Sequence, residues 1–247
     1  MAQSPGTSTT GLGDAQSSDG KGVVTGVSEQ RRADGTLQQQ AALQDGKLHG
    51  EFSVFGAEGV TTVQANYLQD DLDGVLTLRD EGGRLQQVAN YRGGVQEGLT
   101  QIYMEGRLLI EQSYQAGKLQ GPCTSYSVAG EISMTQFYVD GLLEGEVVSM
   151  HEGRVVRKAN FRAGRQEGEV IDYGREGKPL QKALYKDDLL DGPLTRYWPD
   201  GTMLETQNYK AGRPVSALRR FDQNGDEILT ANAKPGLMQR LEQIVKG

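Results

Sequence analysis

The sequence predicts an all-β protein: an elongated antiparallel β-hairpin meander built from units of about 24 residues, followed by a short C-terminal helix. Three observations lead there. An aromatic column recurs at Tyr67, Tyr91, Tyr114, Tyr138, Phe161, Tyr185 and Tyr209, with steps of 24, 23, 24, 23, 24 and 24 residues. Glycine columns keep phase with it. The chain is also too poor in apolar residues (36%) and aromatics (6%) for a thick core, yet holds 34 glycines, which points to thin, frequently turned structure.

Taking the aromatic as position 0, Leu43 extends its column backward by one unit. Position +3 reads Gly46, Asp70, Gly94, Gly117, Gly141, Gly164, Asp188, Gly212, and position +7 reads Gly50, Gly74, Gly98, Gly121, Gly145, Gly168, Gly192, Ser216. A further column, eight residues before the next aromatic, runs Gly35, Gly59, Gly83, Gly106, Gly130, Gly153, Gly177, Gly201, Gly225. Glycine, with aspartate as its substitute, belongs where φ is positive, so each unit is expected to reverse twice. Gly192 to Tyr197 is one strand, Pro199-Asp200-Gly201 its turn, and Thr202 to Tyr209 the return. An uninterrupted meander of about sixteen strands follows.

Position +9 is mostly apolar (Phe52, Leu76, Thr100, Cys123, Val147, Val170, Leu194, Leu218), and position +12 is mostly large (Phe55, Arg79, Tyr103, Tyr126, Met150, Tyr173, Tyr197, Phe221). Their parities are opposite. Either both sheet faces are partly covered or a bulge restores a common face, and the pattern leaves both open. Alanine at position −2 (Ala41, Ala65, Ala89, Ala159, Ala183) leaves room for a neighbouring ring.

The domain reading is residues 1–18 as a disordered leader, 19–230 as the array and 231–247 as a C-terminal capping helix. The leader is Gly, Ser, Thr and Gln with almost no apolar content. It carries no basic and apolar stretch, so it reads either as the trimmed mature end of an exported protein, with a lipid-bearing cysteine lost, or as an ordinary cytoplasmic start. The compartment is periplasmic or envelope-associated in the first case and cytoplasmic in the second. Leu237, Met238, Leu241, Ile244 and Val245 fall at helical spacing after Pro235, and a cap over the last strand is the expected role.

Composition narrows function. A net charge of −7 repels phosphate backbones and anionic lipid, so nucleic acid is not an expected partner and membrane binding is expected only through a lost lipid anchor. One cysteine excludes an intrachain disulfide and a cysteine-based zinc site. His49 and His151 occupy different phases of the repeat. The segment Asp222-Gln-Asn224-Gly-Asp226 begins like a calcium loop, but its glycine comes too early and Ala233 stands where a glutamate is required. No nucleophile, paired-cysteine or His-Glu-x-x-His pattern is present. The expectation is no enzyme, no cofactor and no metal.

Laid out as Tyr-x-x-Gly-x-x-x-Gly-x-x-x-x-Tyr-x-x-x-Gly, the units resemble MORN repeats. They are most similar to the bacterial variant found in YwqK-family antitoxins. Tyr114-Gln-Ala-Gly-Lys-Leu-Gln-Gly121, Tyr138-Val-Asp-Gly-Leu-Leu-Glu-Gly145 and Tyr185-Lys-Asp-Asp-Leu-Leu-Asp-Gly192 carry the resemblance, which covers about residues 19 to 225. It implies a twisted single-layer sheet with a shallow groove. For bacterial members it also implies association with toxins as antitoxin or immunity proteins, including those that neutralise secreted effectors such as phospholipases. The chain departs from the pattern at Asp70, Asp188, Arg79, Ser216 and in its first unit, and no residue of known function carries over. A structural scaffold that organises other proteins, possible at the cell envelope, is the alternative.

Three features stand out as candidate partner-binding positions. Asp73, Glu97, Glu144, Glu167 and Asp191 at position +6 should form an acidic ladder along one edge, which would steer a basic partner or simply keep the array soluble. Tyr103, Tyr126, Tyr173 and Tyr197 with Trp198, the only tryptophan, are either interface anchors or rings that stack to stiffen a thin sheet. Position +11 changes from Val54, Leu78, Ile102 to Ser125, Ser149, Asp172, Arg196, Arg220, so one face turns from apolar to polar along the chain.

Overall fold

The computed structural model describes residues 24–228. The leader, the first residues assigned to the array and the C-terminal helix lie outside the described residues. Within them every long segment is a strand, and neighbouring strands pair antiparallel. The chain forms two compact units, the described parts of Met1–Gly153 with Phe161–Gly164 and of Arg154–Asn160 with Arg165–Gly247.

The first unit runs β1 (Gly26–Arg31), β2 (Leu37–Gln44), β3 (Lys47–Phe55), β4 (Thr61–Leu68), β5 (Asp71–Leu72), β6 (Gly74–Arg79), β7 (Leu85–Arg92), β8 (Val95–Met104), β9 (Arg107–Gln115), β10 (Lys118–Tyr126), β11 (Ile132–Val139), β12 (Leu142–Leu143) and β13 (Gly145–His151). The second contains most of β14 (Arg154–Arg162), then β15 (Arg165–Tyr173), β16 (Pro179–Lys186), β17 (Leu189–Tyr197), β18 (Met203–Lys210), β19 (Arg213–Pro214) and β20 (Arg219–Arg220). Twenty strands among the described residues replace the sixteen expected, mainly because three passes, β5/β6, β12/β13 and β19/β20, are each split in two.

Two kinds of reversal alternate. At the +3 column both central residues have positive φ: Asp45 and Gly46 at 53° and 78°, Ala116 and Gly117 at 48° and 76°, Ala211 and Gly212 at 47° and 78°. These are two-residue type I′ turns, whose twist matches that of the flanking strands. At the other column, Gly35, Gly59, Gly83, Gly130, Gly177, Gly201 and Gly225 close three-residue loops, as in Gly201 N–H to Trp198 C=O (2.9 Å) with Trp198 N–H to Thr202 C=O (2.8 Å). This is a type I turn followed by a left-handed residue and a bulge. Glu105-Gly106 and Glu152-Gly153 are two-residue turns instead, with φ of 52° and 77°, and 51° and 70°. Those are the two units of 23 residues. The missing residue is the third loop residue.

The +7 glycines are not reversals. Gly50, Gly74, Gly98, Gly121, Gly168 and Gly192 sit opposite Tyr67, Tyr91, Tyr114, Tyr138, Tyr185 and Tyr209. On the other side the strand bulges: Ala41 pairs Phe52 while Leu43 pairs Leu48, so three residues of β3 oppose one of β2. A Cβ on Gly50 would lie 3.2 Å from that of Ala42, and one on Gly192 2.9 Å from that of Leu184. Positive φ, from 78° at Gly145 to 138° at Gly192, is what demands glycine along this column, and side-chain crowding at Gly50 and Gly192 adds to it.

The parity question is settled by a bulge. The register slips between positions +11 and +12: Ser125 pairs Met134 but Tyr126 pairs Ile132, and Arg196 pairs Glu205 but Tyr197 pairs Met203. The +12 residue therefore meets the same face of its neighbour as +9 and +11 do. On that face lies the core. Ala41, Ala65, Ala89, Ala159 and Ala183 are buried with Thr100, Cys123, Val147 and Val170 of position +9, and the largest fully buried side chains are only Val170 and Thr100. Phe52 stands edge-on to Tyr67 at 5.7 Å between ring centroids. A single layer has no second sheet to bury larger groups, so alanine and valine fill its centre.

Candidate interaction surfaces

Each acidic residue of position +6 has an internal partner. Gly93 N–H donates to Asp73 (3.0 Å), Ala116 N–H to Glu97 (2.8 Å), Ala163 N–H to Glu144 (2.8 Å), Asp187 N–H to Glu167 (3.1 Å) and Ala211 N–H to Asp191 (3.4 Å). The donor is the first residue of the next type I′ turn, whose N–H has no place in the ladder. The second turn residue donates to a backbone carbonyl of the unit before, as in Gly117 to Gln96 (3.0 Å) and Gly212 to Leu190 (2.8 Å). Gln120 serves Asp140 in the same way at 2.8 Å. The column thus selects a side-chain acceptor, and charge is not obligatory.

Aspartates of the turns themselves are similarly engaged. Asp70 and Asp188 replace turn glycines at φ of 76° and 68°, and their carboxylates accept from Leu48 N–H (2.8 Å) and Gln166 N–H (2.7 Å). Lys118 pairs with Asp140 at 3.4 Å, Arg165 with Asp187 at 3.1 Å and Lys210 with Asp191 at 2.8 Å. The Lys210 ammonium holds the Asp191 carboxyl below the ordinary carboxylate range, helped by Ala211 N–H.

Tyr103, Tyr126, Tyr173, Tyr197 and Trp198 are all half-buried. Tyr103 donates its hydroxyl to Gln101 at 3.0 Å. Tyr126 lines a depression with Arg107, Leu108 and Val128, where Arg107 donates to the Val128 carbonyl at 2.9 Å. The Trp198 indole N–H reaches the Phe221 carbonyl, one unit on, at 3.4 Å. Arg32 makes the equivalent reach to the Phe55 carbonyl. Trp198 is therefore also a tie between successive turns, a role its sequence position did not reveal because the neighbouring units fill that position with unrelated residues.

His49 lies 3.4 Å from the Gln69 amide, and His151 is exposed beside Glu152 at 4.0 Å. Burial pushes the Cys123 thiol up, as expected for a small core residue.

Position +11 gives the sharpest contrast between the units. In the first, cross-strand pairing aligns Val54, Val63, Leu78, Gln87, Ile102, Ile110, Ser125 and Met134 in one row. In the second, the row is charged: Arg157 donates to Asp172 at 2.8 Å, Gln181 to Asp172 at 3.3 Å, Arg196 to Gln181 at 3.0 Å and to Glu205 at 2.6 Å, and Arg220 to Glu205 at 3.4 Å. Ion pairs such as these, whose guanidinium groups are about half exposed, contribute about 0–1 kcal/mol. An apolar cross-strand pair contributes roughly 0.2–1 kcal/mol. Exchanging one for the other leaves stability nearly unchanged, so the sheet does not require charge here. The arginines of this row were not singled out as candidate site residues by sequence, although the change at position +11 marked two of them.

No curated protein matches the chain. Residues 190–211 match a family model described as MORN repeat variant. The match spans nearly all of β17, its type I turn, β18 and the first residue of the following type I′ turn, which is the hairpin that recurs throughout both units. Residues 190–211 thus carry a MORN-type repeat, and the same turns, bulges and pairings recur in the other hairpins.

Proposed function

We propose that this protein acts by binding another protein and is not an enzyme, and that it is an immunity or antitoxin protein neutralising a cognate bacterial toxin or secreted effector, such as a phospholipase. The observation that supports protein binding is the charged row Arg157–Asp172–Gln181–Arg196–Glu205–Arg220, set on a face where the same fold elsewhere uses uncharged, mostly apolar residues. Those charges add little to stability, which leaves recognition as their use. The toxin reading rests on the resemblance to YwqK-family antitoxins. Half-buried Tyr173, Tyr197 and Trp198 offer rigid amphipathic contact area in the same unit.

The test is co-expression with the product of the adjacent gene. A stoichiometric complex on size exclusion, with rescue of growth from that product's toxicity, is the expected result. No complex and no protection would sink the toxin reading, and many weak partners without a stoichiometric complex would favour a scaffold.

A further inference from the structure

In the second unit, β17, β18 and the segment ending in β20 surround a cavity of about 190 Å³. Leu194, Leu218 and Tyr209 contribute its apolar walls. Its neutral polar groups are already held: the Tyr209 hydroxyl donates to Gln207 at 3.0 Å, and the Gln207 amide donates to the Ser216 carbonyl at 3.0 Å. Glu205 lies between two guanidinium groups, 2.6 Å from Arg196 Nη1 and 3.4 Å from Arg220 Nε. Its side chain is 16% exposed, while those of Arg196 and Arg220 are 51% and 53% exposed. Two cations thus flank one sheltered anion. Arg196 engages Nε and Nη1, and Arg220 only Nε, so terminal N–H donors of both make no bond among the described residues.

We propose that this cup seats a single acidic side chain, aspartate or glutamate, from a protein partner. Its carboxylate takes the outward donors of Arg196 and Arg220, and its methylene carbons pack on Leu194 and Leu218. The cavity is below the roughly 300–1,000 Å³ of sites that hold cofactors or drug-sized ligands, which fits a side chain. Charge selects a monoanion. With Glu205 in place, a carboxylate brings the cluster to neutrality, whereas a phosphate dianion leaves excess negative charge next to Glu205. The proposal rests on the protein-binding reading and gives one contact of that surface its chemistry.

The full chain, labelled with ¹⁵N at arginine, is titrated with capped Leu-Glu-Leu, with capped Leu-Gln-Leu and with inorganic phosphate, following the guanidinium Nε–H resonances. The expected result is saturable shifts at Arg196 and Arg220 with the glutamate peptide, at least about tenfold weaker binding of the glutamine peptide, and loss of the response in Arg220→Gln. Arg220→Lys, which keeps the charge and loses the fork, should retain weakened binding and shows that the fold survives at this position. Equal response to both peptides, no saturation, or tighter binding of phosphate would overturn the proposal. The titration needs no toxin, so its failure leaves the neutralisation reading standing, and a failed neutralisation assay leaves the titration readable.

Discussion

Glu144 and Ala163 show how single residues tie one turn to the next. Ala163 sits at φ 48°, a conformation unfavourable for a residue with a Cβ, and its N–H is answered by the Glu144 carboxylate at 2.8 Å. Glu144→Ala should destabilise the protein by about 1 kcal/mol, through loss of a partner for a backbone donor. Glu144→Gln should stay close to the parent, since Gln120 already does this work for Asp140. Urea unfolding of the two variants separates a structural acceptor from a charge kept for its own sake. In the core, Ala89 is fully buried between Leu76 and Thr100. Ala89→Leu should cost about 1–3 kcal/mol, because a single layer offers no void for the added carbons.

Elements in this array differ mainly in their turns. Deleting Glu81 from the three-residue loop that ends at Gly83 should convert it into the two-residue form of Glu105-Gly106, and stability should fall by no more than about 1 kcal/mol. A larger loss in melting or urea midpoint would mean that the bulge itself is required. On the other edge, two kinds of contact alternate. Where the first turn residue is alanine, the preceding unit supplies an apolar residue, and a Cβ on Gly117 or Gly164 would lie 3.4 Å from Val95 or Leu142. Where it is aspartate, the unit supplies Lys118 or Arg165 as an ion partner. The two solutions should be close in energy, since an exposed ion pair and a small apolar contact each contribute about 1 kcal/mol or less. The double change Lys118→Leu with Asp140→Ala should alter stability by no more than roughly 0.5 kcal/mol.

For the whole molecule, the acidic residues link stability to pH. Hydrogen bonds to Thr36, Arg84, Lys210, Thr202 and Arg219 hold Asp34, Asp80, Asp191, Asp200 and Glu227, respectively, below their ordinary values. A depressed carboxylate contributes its full stabilisation above its unfolded pKa and loses it as pH falls through the folded one. Thermal midpoints should therefore be flat near neutrality and fall below about pH 4. A profile that stayed flat to pH 2 would show that these bonds do not survive in solution. Because contacts run between neighbouring hairpins, the effects of Ala89→Leu and of a change at Val170 should add, as expected for sites with no shared partners.

Much of this was legible in the sequence. Its period gave the hairpin, because a reversal every 11 to 13 residues needs glycine or aspartate at set intervals, and its scarcity of apolar residues announced the absence of a thick core. The change at position +11 was visible as well. Other features depended on which residues the fold brings together. Ala163 carries no mark of positive φ, Glu144 none of its bond to a turn 19 residues away, and Trp198 none of its reach to Phe221. Arg196, Glu205 and Arg220 belong to three strands and become one cluster only through cross-strand register. Sequence determines local conformation through the torsional limits of each residue. Tertiary structure alone decides partners, because pairing across strands joins residues that the chain keeps apart.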